Sequence, residues 1–187
     1  MTDPTADYKA LCRREAAGAR LTMLPFLNAK PSDSGRIGPE CLSQWYRCYF
    51  RSDHHRFSSA EQYMMWGKAT TFDDARSAQV ILGATNPSKI KKLGRGVAGF
   101  DAQEWARVSH GIVYRANLAK FGQNEELRDY LLSTKDRILV EASPVDKIWG
   151  AGISAEDERL GKPSQWPGTN KLGFILMAVR AKLAESD

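Results

Sequence analysis

The segment FSSAEQYMMWGKA, residues 57–69, decides how the rest of the chain is interpreted, because it combines ionisable side chains with a helical apolar pattern. Ser58 and Ser59 both suit a helix N-cap, and no proline follows in the segment. On the predicted helix Glu61 and Lys68 lie seven residues apart, which puts them on one face, about 10 Å apart along the axis. That spacing suits a ligand lying between a carboxylate and an ammonium group.

The same spacing also allows a purely structural role for Glu61. Ser58-x-x-Glu61 fits the capping box, in which the glutamate folds back onto the backbone amide of the N-cap residue. Ser59-x-x-Gln62 fits the box equally well, and in that register Glu61 stays in the first turn, where the helix dipole favours its charge. The sequence leaves both registers open.

Length and composition predict one intracellular domain. A chain of 187 residues buries enough surface to fold without disulfides or metals, and its three cysteines are sparse and odd in number. The first residues have neither a signal core nor a presequence, and no apolar run is long enough to span a membrane. We therefore expect a cytoplasmic or nuclear protein without membrane association. The net charge of +5 favours phosphate-bearing partners, including nucleic acid.

Apolar periodicity predicts a mainly α-helical fold of about seven helices with a minor β element, in a single domain. Residues 1–37 are expected to form an N-terminal extension and residues 38–187 the domain itself. Predicted helices occupy residues 7–24, 58–69, 73–82, 86–94, 101–124, 125–132 and 170–183, with caps at Asp73, Asn86, Asp101 and Asn170. Residues 41–57 read as a strand or hairpin turning near His54 and His55, and residues 137–142 as a buried strand.

Three further segments carry polar groups that suit a binding site. Residues 94–99 formally match G-x-G-x-x-G, but the preceding KIKKL is basic and helix-like, so we reject a dinucleotide-binding fingerprint and keep only Arg95 as a phosphate ligand. Lys120, Phe121 and the amides of residues 123 and 124 bring together a cation, a ring and two amides. Asp146 and Trp149 follow the predicted strand in a loop, where Asp146 also suits a turn or cap.

Seven blocks, in the same order, resemble the NADAR superfamily of YbiA-like proteins over about residues 38–183. They are LSQWY at 42–46, SAEQYMMWGKA at 59–69, NP...K.LGR.V at 86–97, FD...W at 100–105, AKF.QN at 119–124, LVEASP.D.IWG at 139–150 and W.G.N.LG at 166–173.

The resemblance implies a multi-helical domain that binds ADP-ribose or other ribose-phosphate compounds and hydrolyses an N-glycosidic bond without a metal or other cofactor. It implies catalytic roles for Glu61, Lys68 and Asp146. Glu61 is the leading acid/base, Asp146 the second carboxylate, and Lys68 either a phosphate ligand or a Schiff-base amine. The expected substrate-binding residues are Ser43, Gln44, Trp45, Arg95, Trp105, Lys120, Phe121, Trp149, Gly150, Trp166 and Asn170.

Members of this family differ in substrate, and the sequence keeps three functions in view. The favoured one is removal of ADP-ribose from guanine bases of nucleic acid or nucleotides, which suits the basic charge. The second is hydrolysis of phosphoribosylamino-pyrimidine intermediates of riboflavin synthesis. The third is a non-catalytic module that binds ADP-ribose or NAD. A reader module needs no acid/base set, so Glu61, Lys68 and Asp146 together favour an enzyme. The oligomeric state is left open.

Overall fold

A computed structural model of the chain describes residues 4–31 and 35–185. The α-helices of these residues are α1 (Pro4–Ala16), α2 (Ala60–Thr71), α3 (Ala75–Leu82), α4 (Pro87–Arg95), α5 (Ala102–Gly122), α6 (Glu125–Ser133) and α7 (Lys171–Ala184). The strands are β1 (Met23–Phe26), β2 (Phe50–Ser52), β3 (His55–Phe57) and β4 (Ile138–Glu141), and short 3-10 turns span Pro39–Leu42 and Pro163–Gln165. The predicted mainly α-helical fold with a minor β component is confirmed. None of the described helices has the length and apolar character needed to cross a membrane.

The chain divides into two compact units, and the first is built from both ends of the sequence, up to Ser43 and from Asp129 onward. In this unit β1 and β4 pair in parallel, from Met23 opposite Ile138 to Phe26 opposite Glu141. Helix α7 packs against β4, and α1 packs against α7. The core between these elements is formed by Leu11, Ile138, Val140, Ala151, Ile153, Trp166 and Phe174. The predicted N-terminal extension therefore contributes both α1 and β1 to the first unit.

The second unit, Gln44–Arg128, is organised around α2, which packs against α3, α4 and α5. The antiparallel pair of β2 and β3 forms a hairpin over residues 50–57, shorter than the predicted segment 41–57. Its turn lies at Asp53 and His54, both in left-handed conformations, and not at His54 and His55 as predicted. Its apolar core comprises Phe50, Phe57, Ala60, Tyr63, Ile112 and Ala116. The central position of α2 explains why so many of its residues are buried.

The prediction of one helix over residues 7–24 was wrong at its C-terminal end. Helix α1 stops at Ala16, and Gly18 follows with φ +74°, a conformation that glycine adopts without the steric cost of a side chain. Residues 23–26 form β1 instead. This strand could not be predicted from the sequence, because its parallel partner lies more than 100 residues away and because proline, here Pro25, is unusual in strands. A two-stranded sheet tolerates Pro25 because β1 is an edge strand.

The predicted cap of α3 was wrong by one residue. Asp73 has φ +55°, a left-handed conformation in the turn that follows α2. Asp74 is the N-cap, and its Oδ1 accepts a hydrogen bond from the Ser77 amide at 2.9 Å. The predicted caps at Asn86 and Asp101 are confirmed, since their side chains accept hydrogen bonds from Lys89 and Glu104.

Candidate functional site

The N-terminal cap of α2 is made by Ser59 and Gln62, so the register in which Glu61 caps the helix was wrong. Ser59 Oγ accepts a hydrogen bond from the Gln62 amide at 3.1 Å. The Gln62 side chain accepts hydrogen bonds from the Ser58 amide and hydroxyl, at 2.7 and 2.9 Å. It also donates to the carbonyls of Ile81, Leu82 and Ala84, which ties the start of α2 to α3. Helix capping therefore does not account for the glutamate at position 61.

Glu61 is buried in the first turn of α2, with only 6% of its surface exposed. Its backbone amide donates to the carbonyl of Gln44 at 2.9 Å, which fixes this turn against the segment that begins the second unit. A carboxyl group is rarely buried to this extent without a structural or chemical purpose, because removing its charge from water is costly. Capping of α2 is therefore excluded as the reason for this burial.

The Gln44 side chain is positioned by Asn117 of α5, a residue that the sequence analysis did not identify. Asn117 Nδ2 donates to Gln44 Oε1 and to the Val113 carbonyl, both at 2.9 Å, and both side chains are buried. The only sequence signal was an asparagine in the middle of a long helix, where its propensity is poor. Asn117 thus supports the same segment that holds the Glu61 amide.

Lys68 lies two turns after Glu61 and has a partly buried ammonium group. Its Nζ donates to the Gly94 carbonyl at 2.8 Å and lies 3.9 Å from the centroid of the Phe100 ring and 6.0 Å from that of Trp105. Burial lowers the pKa of Lys68, because the protonated form loses hydration. The side chain is therefore held in place by the Gly94 carbonyl and by the ring of Phe100, another residue that the sequence analysis did not identify.

Gly94 places its carbonyl beside Lys68 because α4 and α2 approach each other closely. A Cβ atom at residue 94 would collide with the Met65 side chain of α2. We expect Gly94→Ala to lower the free energy of unfolding by about 1–3 kcal/mol, as overpacking does, and to reduce activity by displacing the carbonyl that orients Lys68.

Gly96→Ala is the matched control, because a Cβ there would meet only backbone oxygens at 3.6 and 3.9 Å, an ordinary contact distance. Urea unfolding of both variants measures the difference. Equal stability of the two variants would contradict the close packing of α4 on α2.

The predicted pair Lys120 and Phe121 is fully buried, with Lys120 Nζ 5.6 Å from the Tyr46 ring centroid and 4.9 Å from that of Phe121. The two amides predicted beside them serve the hairpin instead. Gln123 exchanges two hydrogen bonds with the backbone of Arg51, and Asn124 donates to the Tyr49 carbonyl. Lys120 thus lies beside two aromatic rings, whereas the side-chain amides of Gln123 and Asn124 have structural partners in the hairpin.

Of the remaining predicted residues in the second unit, Trp45 and Trp105 are partly buried and Arg95 is exposed at the end of α4. Lys91 Nζ lies 5.3 Å from the Trp45 ring centroid, so the two form a cation–π contact. Trp105 packs against the apolar core as well as facing Lys68. These contacts connect Trp45 and Trp105 to α4 and to Lys68, whereas Arg95 faces solvent.

In the first unit, Asp146 builds the turn that carries Trp149. Its Oδ1 accepts hydrogen bonds from the amides of Ile148 and Trp149, at 2.9 and 2.8 Å, so the turn role allowed by the sequence is present. The Trp149 carbonyl in turn accepts from the Leu172 amide at 3.1 Å, in the first turn of α7. The Asp146 carboxylate thus fixes the backbone of the loop that carries Trp149.

Several other predicted residues of the first unit have packing roles. Asn170 is fully buried, and its side chain bonds the Glu141 amide and the Leu139 carbonyl of β4 rather than capping α7. Trp166 Nε1 donates to the carbonyls of Arg159 and Leu160, and a Cβ at Gly150 would crowd the Asp146 carbonyl at 2.8 Å. Ser43 is buried at the end of a 3-10 turn. These contacts give Asn170, Trp166 and Gly150 structural roles.

The first unit also contains an open cavity of about 400 Å³ beside the C-terminal ends of β1 and β4. Its walls include Phe26, Leu27, Lys30, Glu40 and Pro144, and none of the predicted site residues lines it. Within residues 4–31 and 35–185, no three histidine, cysteine or carboxylate side chains are grouped as metal ligands would be.

Comparison with known proteins identifies the family. The NADAR domain model matches residues 33–184, a span that includes residues of both units. N-glycosidase R617 of Acanthamoeba polyphaga mimivirus is 38% identical over 154 residues, which cover 80% of this chain and 91% of that protein. Protein irg-1 of Caenorhabditis elegans is 44% identical over 130 residues, covering 68% of this chain and 61% of its own length.

The fold comparison agrees with the sequence comparison. The solution structure of the Escherichia coli protein YbiA superimposes with a TM-score of 0.69 at 27% sequence identity, covering 88% of this chain and 86% of YbiA. The helical fold organised around α2, the matched residues and the similarity to these proteins lead to one conclusion: the chain belongs to the NADAR family.

Proposed function

We propose that the protein is an N-glycosidase that releases ADP-ribose from ADP-ribosylated guanine bases, with Glu61 and Lys68 in catalytic roles. The N-glycosidase part has the support of a relative that carries this name. The observation that carries the catalytic assignment is the pair on α2. Glu61 is buried without serving the helix cap, and Lys68 lies two turns later with a pKa lowered by burial.

Glu61 acts in this proposal as the proton donor to the leaving nitrogen. Cleavage of a ribosyl C–N bond develops positive charge on the anomeric carbon and negative charge on the departing amine nitrogen. A carboxyl group near the scissile bond supplies the proton that the amine needs, and its carboxylate then accepts a proton from the attacking group. A buried position shields this exchange from bulk water.

Lys68 acts in this proposal as the nucleophile. Opening of the ribose ring breaks the bond between the anomeric carbon and the ring oxygen, which takes up the proton that the guanine amine loses, and leaves an imine at the anomeric carbon. The neutral Lys68 amine adds to this imine carbon, and the bond to the guanine nitrogen then breaks as the guanine amine leaves with a proton from Glu61. The resulting lysine imine takes up one water molecule, which restores the lysine and releases ADP-ribose as its aldehyde, and ring closure follows. A nucleophilic lysine must be neutral, so the lowered pKa supports this role over that of a permanent phosphate counter-ion.

Asp146 is proposed as a catalytic carboxylate in addition to its turn role, and Asp146→Asn separates the two. Asparagine keeps the oxygen that accepts the Ile148 and Trp149 amides but removes the charge. We expect the free energy of unfolding of Asp146→Asn to lie within about 1 kcal/mol of the parent value, while kcat/KM falls by about 10²-fold.

Asp146→Ala is the companion variant and should lose both stability and activity, because the turn loses its acceptor. Thermal unfolding and steady-state kinetics measure the two effects. Full activity of Asp146→Asn would restrict Asp146 to the turn.

The deciding experiment measures free ADP-ribose released from an oligonucleotide that carries ADP-ribosylated guanine. The parent protein is compared with Glu61→Ala and Lys68→Ala, and with Glu126→Ala and Lys182→Ala as exposed controls of the same residue types. Release that only the first two variants abolish supports the proposal. Turnover of a phosphoribosylamino-pyrimidine alone would reassign the substrate, and tight ADP-ribose binding without any turnover would indicate a binding module.

A further inference from the structure

Positive charge in the second unit is most concentrated in residues 75–100. This stretch contains five basic residues and no acidic residue: Arg76, Lys89, Lys91, Lys92 and Arg95. Four of the five lie on α4, which has only nine residues. Such a local excess creates a positive potential that the modest net charge of the whole chain does not reveal.

The basic residues of α4 form one continuous face directed away from the core. Ile90 and Gly94 are buried and mark the side that packs on α2. With 3.6 residues per turn, the four cations cover an arc of about 160° on the opposite side. Lys89, Lys92 and Arg95 are exposed, and within the described residues none of the three forms an ion pair. We call Lys89, Lys91, Lys92 and Arg95 the basic face.

Helix α4 carries the basic face on its outer side and contacts Lys68 of the same unit on its inner side. The Gly94 carbonyl, on the inner side of α4, accepts the hydrogen bond from Lys68 Nζ at 2.8 Å. At one edge of the face, Lys91 covers the Trp45 ring at 5.3 Å from the centroid. Cations and an aromatic ring on one helix edge are two features of proteins that bind single-stranded nucleic acid, in which phosphates contact cations and bases stack on rings.

We propose that the basic face binds the phosphate backbone of a single-stranded polynucleotide whose modified base enters the site at Lys68. This inference rests on the proposed function, because it states that the substrate of that reaction is a polynucleotide and not a free nucleotide. A free nucleotide has few phosphates, all close to the reacting sugar. Its binding therefore does not require the exposed cations of the basic face on a neighbouring helix. A base within a duplex is stacked and out of reach of a buried carboxyl group, so a single strand or an extruded base fits better.

The test measures binding of a fluorescein-labelled, unmodified single-stranded DNA of about 20 nucleotides by anisotropy, at about 50–200 mM salt. The variant is Lys89→Gln with Lys92→Gln, two exposed positions outside the proposed catalytic residues. Each lost phosphate contact reduces the salt slope by about 0.7 for a single strand, so the slope should fall by about 1.4. The affinity advantage of the parent over the variant should accordingly shrink about sevenfold across this salt range.

The matched control is Lys162→Gln with Lys182→Gln, which removes the same charge from exposed positions in the first unit. We expect this control to keep the parent slope. An unchanged slope in the α4 variant, an equal change in the control, or equal competition by polyglutamate, which would indicate a general polyanion surface, would overturn the inference.

Turnover separates this inference from the proposed function. If the parent hydrolyses ADP-ribosylated guanosine while the α4 variant binds DNA with the parent salt slope, the proposed function is supported and DNA binding by the basic face is overturned. If the salt slope changes as expected but no ADP-ribosylated guanine is hydrolysed, DNA binding by the basic face is supported and the proposed reaction is wrong.

Discussion

Lys68→Met is expected to lower kcat/KM for ADP-ribose release by at least about 10³-fold, because methionine fills a similar volume but has no amine to attack the anomeric carbon. Lys68→Arg is the decisive companion variant. Arginine keeps the positive charge and the donor to the Gly94 carbonyl, but it stays protonated and is not a nucleophile. Steady-state kinetics of both variants should therefore show the same loss. Substantial activity of Lys68→Arg would assign the lysine to phosphate binding.

Borohydride and pH provide independent checks on the same lysine. Reduction during turnover should trap a stable adduct on Lys68, detectable as a mass increase on the peptide that contains it, and the adduct should be missing in Lys68→Met. For a nucleophilic amine, kcat/KM rises with pH through the Lys68 pKa and levels off above it, as the neutral fraction grows. Burial lowers that pKa, so kcat/KM should rise at a pH below the range in which an ordinary lysine titrates. A phosphate-binding ammonium group would give the opposite slope.

The part of the fold that follows local rules was predictable from the sequence. Asn86 and Asp101 cap helices because their short polar side chains reach the amides of the first turn, and that pattern is contained within four residues. The long helix α5 is a local feature in the same way, and so is the hairpin turn, which lies at residues 53–54, one residue before the predicted 54–55. Glu61 and Lys68 could be identified as a pair because helical periodicity alone places them on one face.

The part that depends on contacts distant in sequence was not predictable. Strand β1 forms because β4 pairs with it, and the sequence of residues 23–26 carries no signal for that pairing. Asn170 has the sequence signature of a cap but its side chain is used by β4, since it sits at φ +49° and its amide reaches the strand backbone. Phe100 and Asn117 acquire their roles only through tertiary packing against Lys68 and Gln44.

Glu61→Gln should separate chemistry from stability at the start of α2. Glutamine has nearly the same shape as glutamate and keeps hydrogen-bonding capacity, but it neither donates a proton to the leaving nitrogen nor takes one back. We expect kcat/KM to fall by about 10²–10⁴-fold, the contribution of a positioned general acid/base. The free energy of unfolding should stay within about 1 kcal/mol, because the cap is made by Ser59 and Gln62 and is untouched.

A structural role for Glu61 predicts the reverse result. A buried polar group left without its partner typically costs about 1–3 kcal/mol, whereas the activity of each folded molecule would be retained. Urea unfolding and active-site-normalised kinetics on the same preparations distinguish the two patterns. Gln62→Glu is the informative control, because it disrupts the side chain that bonds Ser58 and the α3 carbonyls and should lose stability first. Loss of activity without loss of stability at residue 61, and the opposite order at residue 62, would place the chemistry on Glu61.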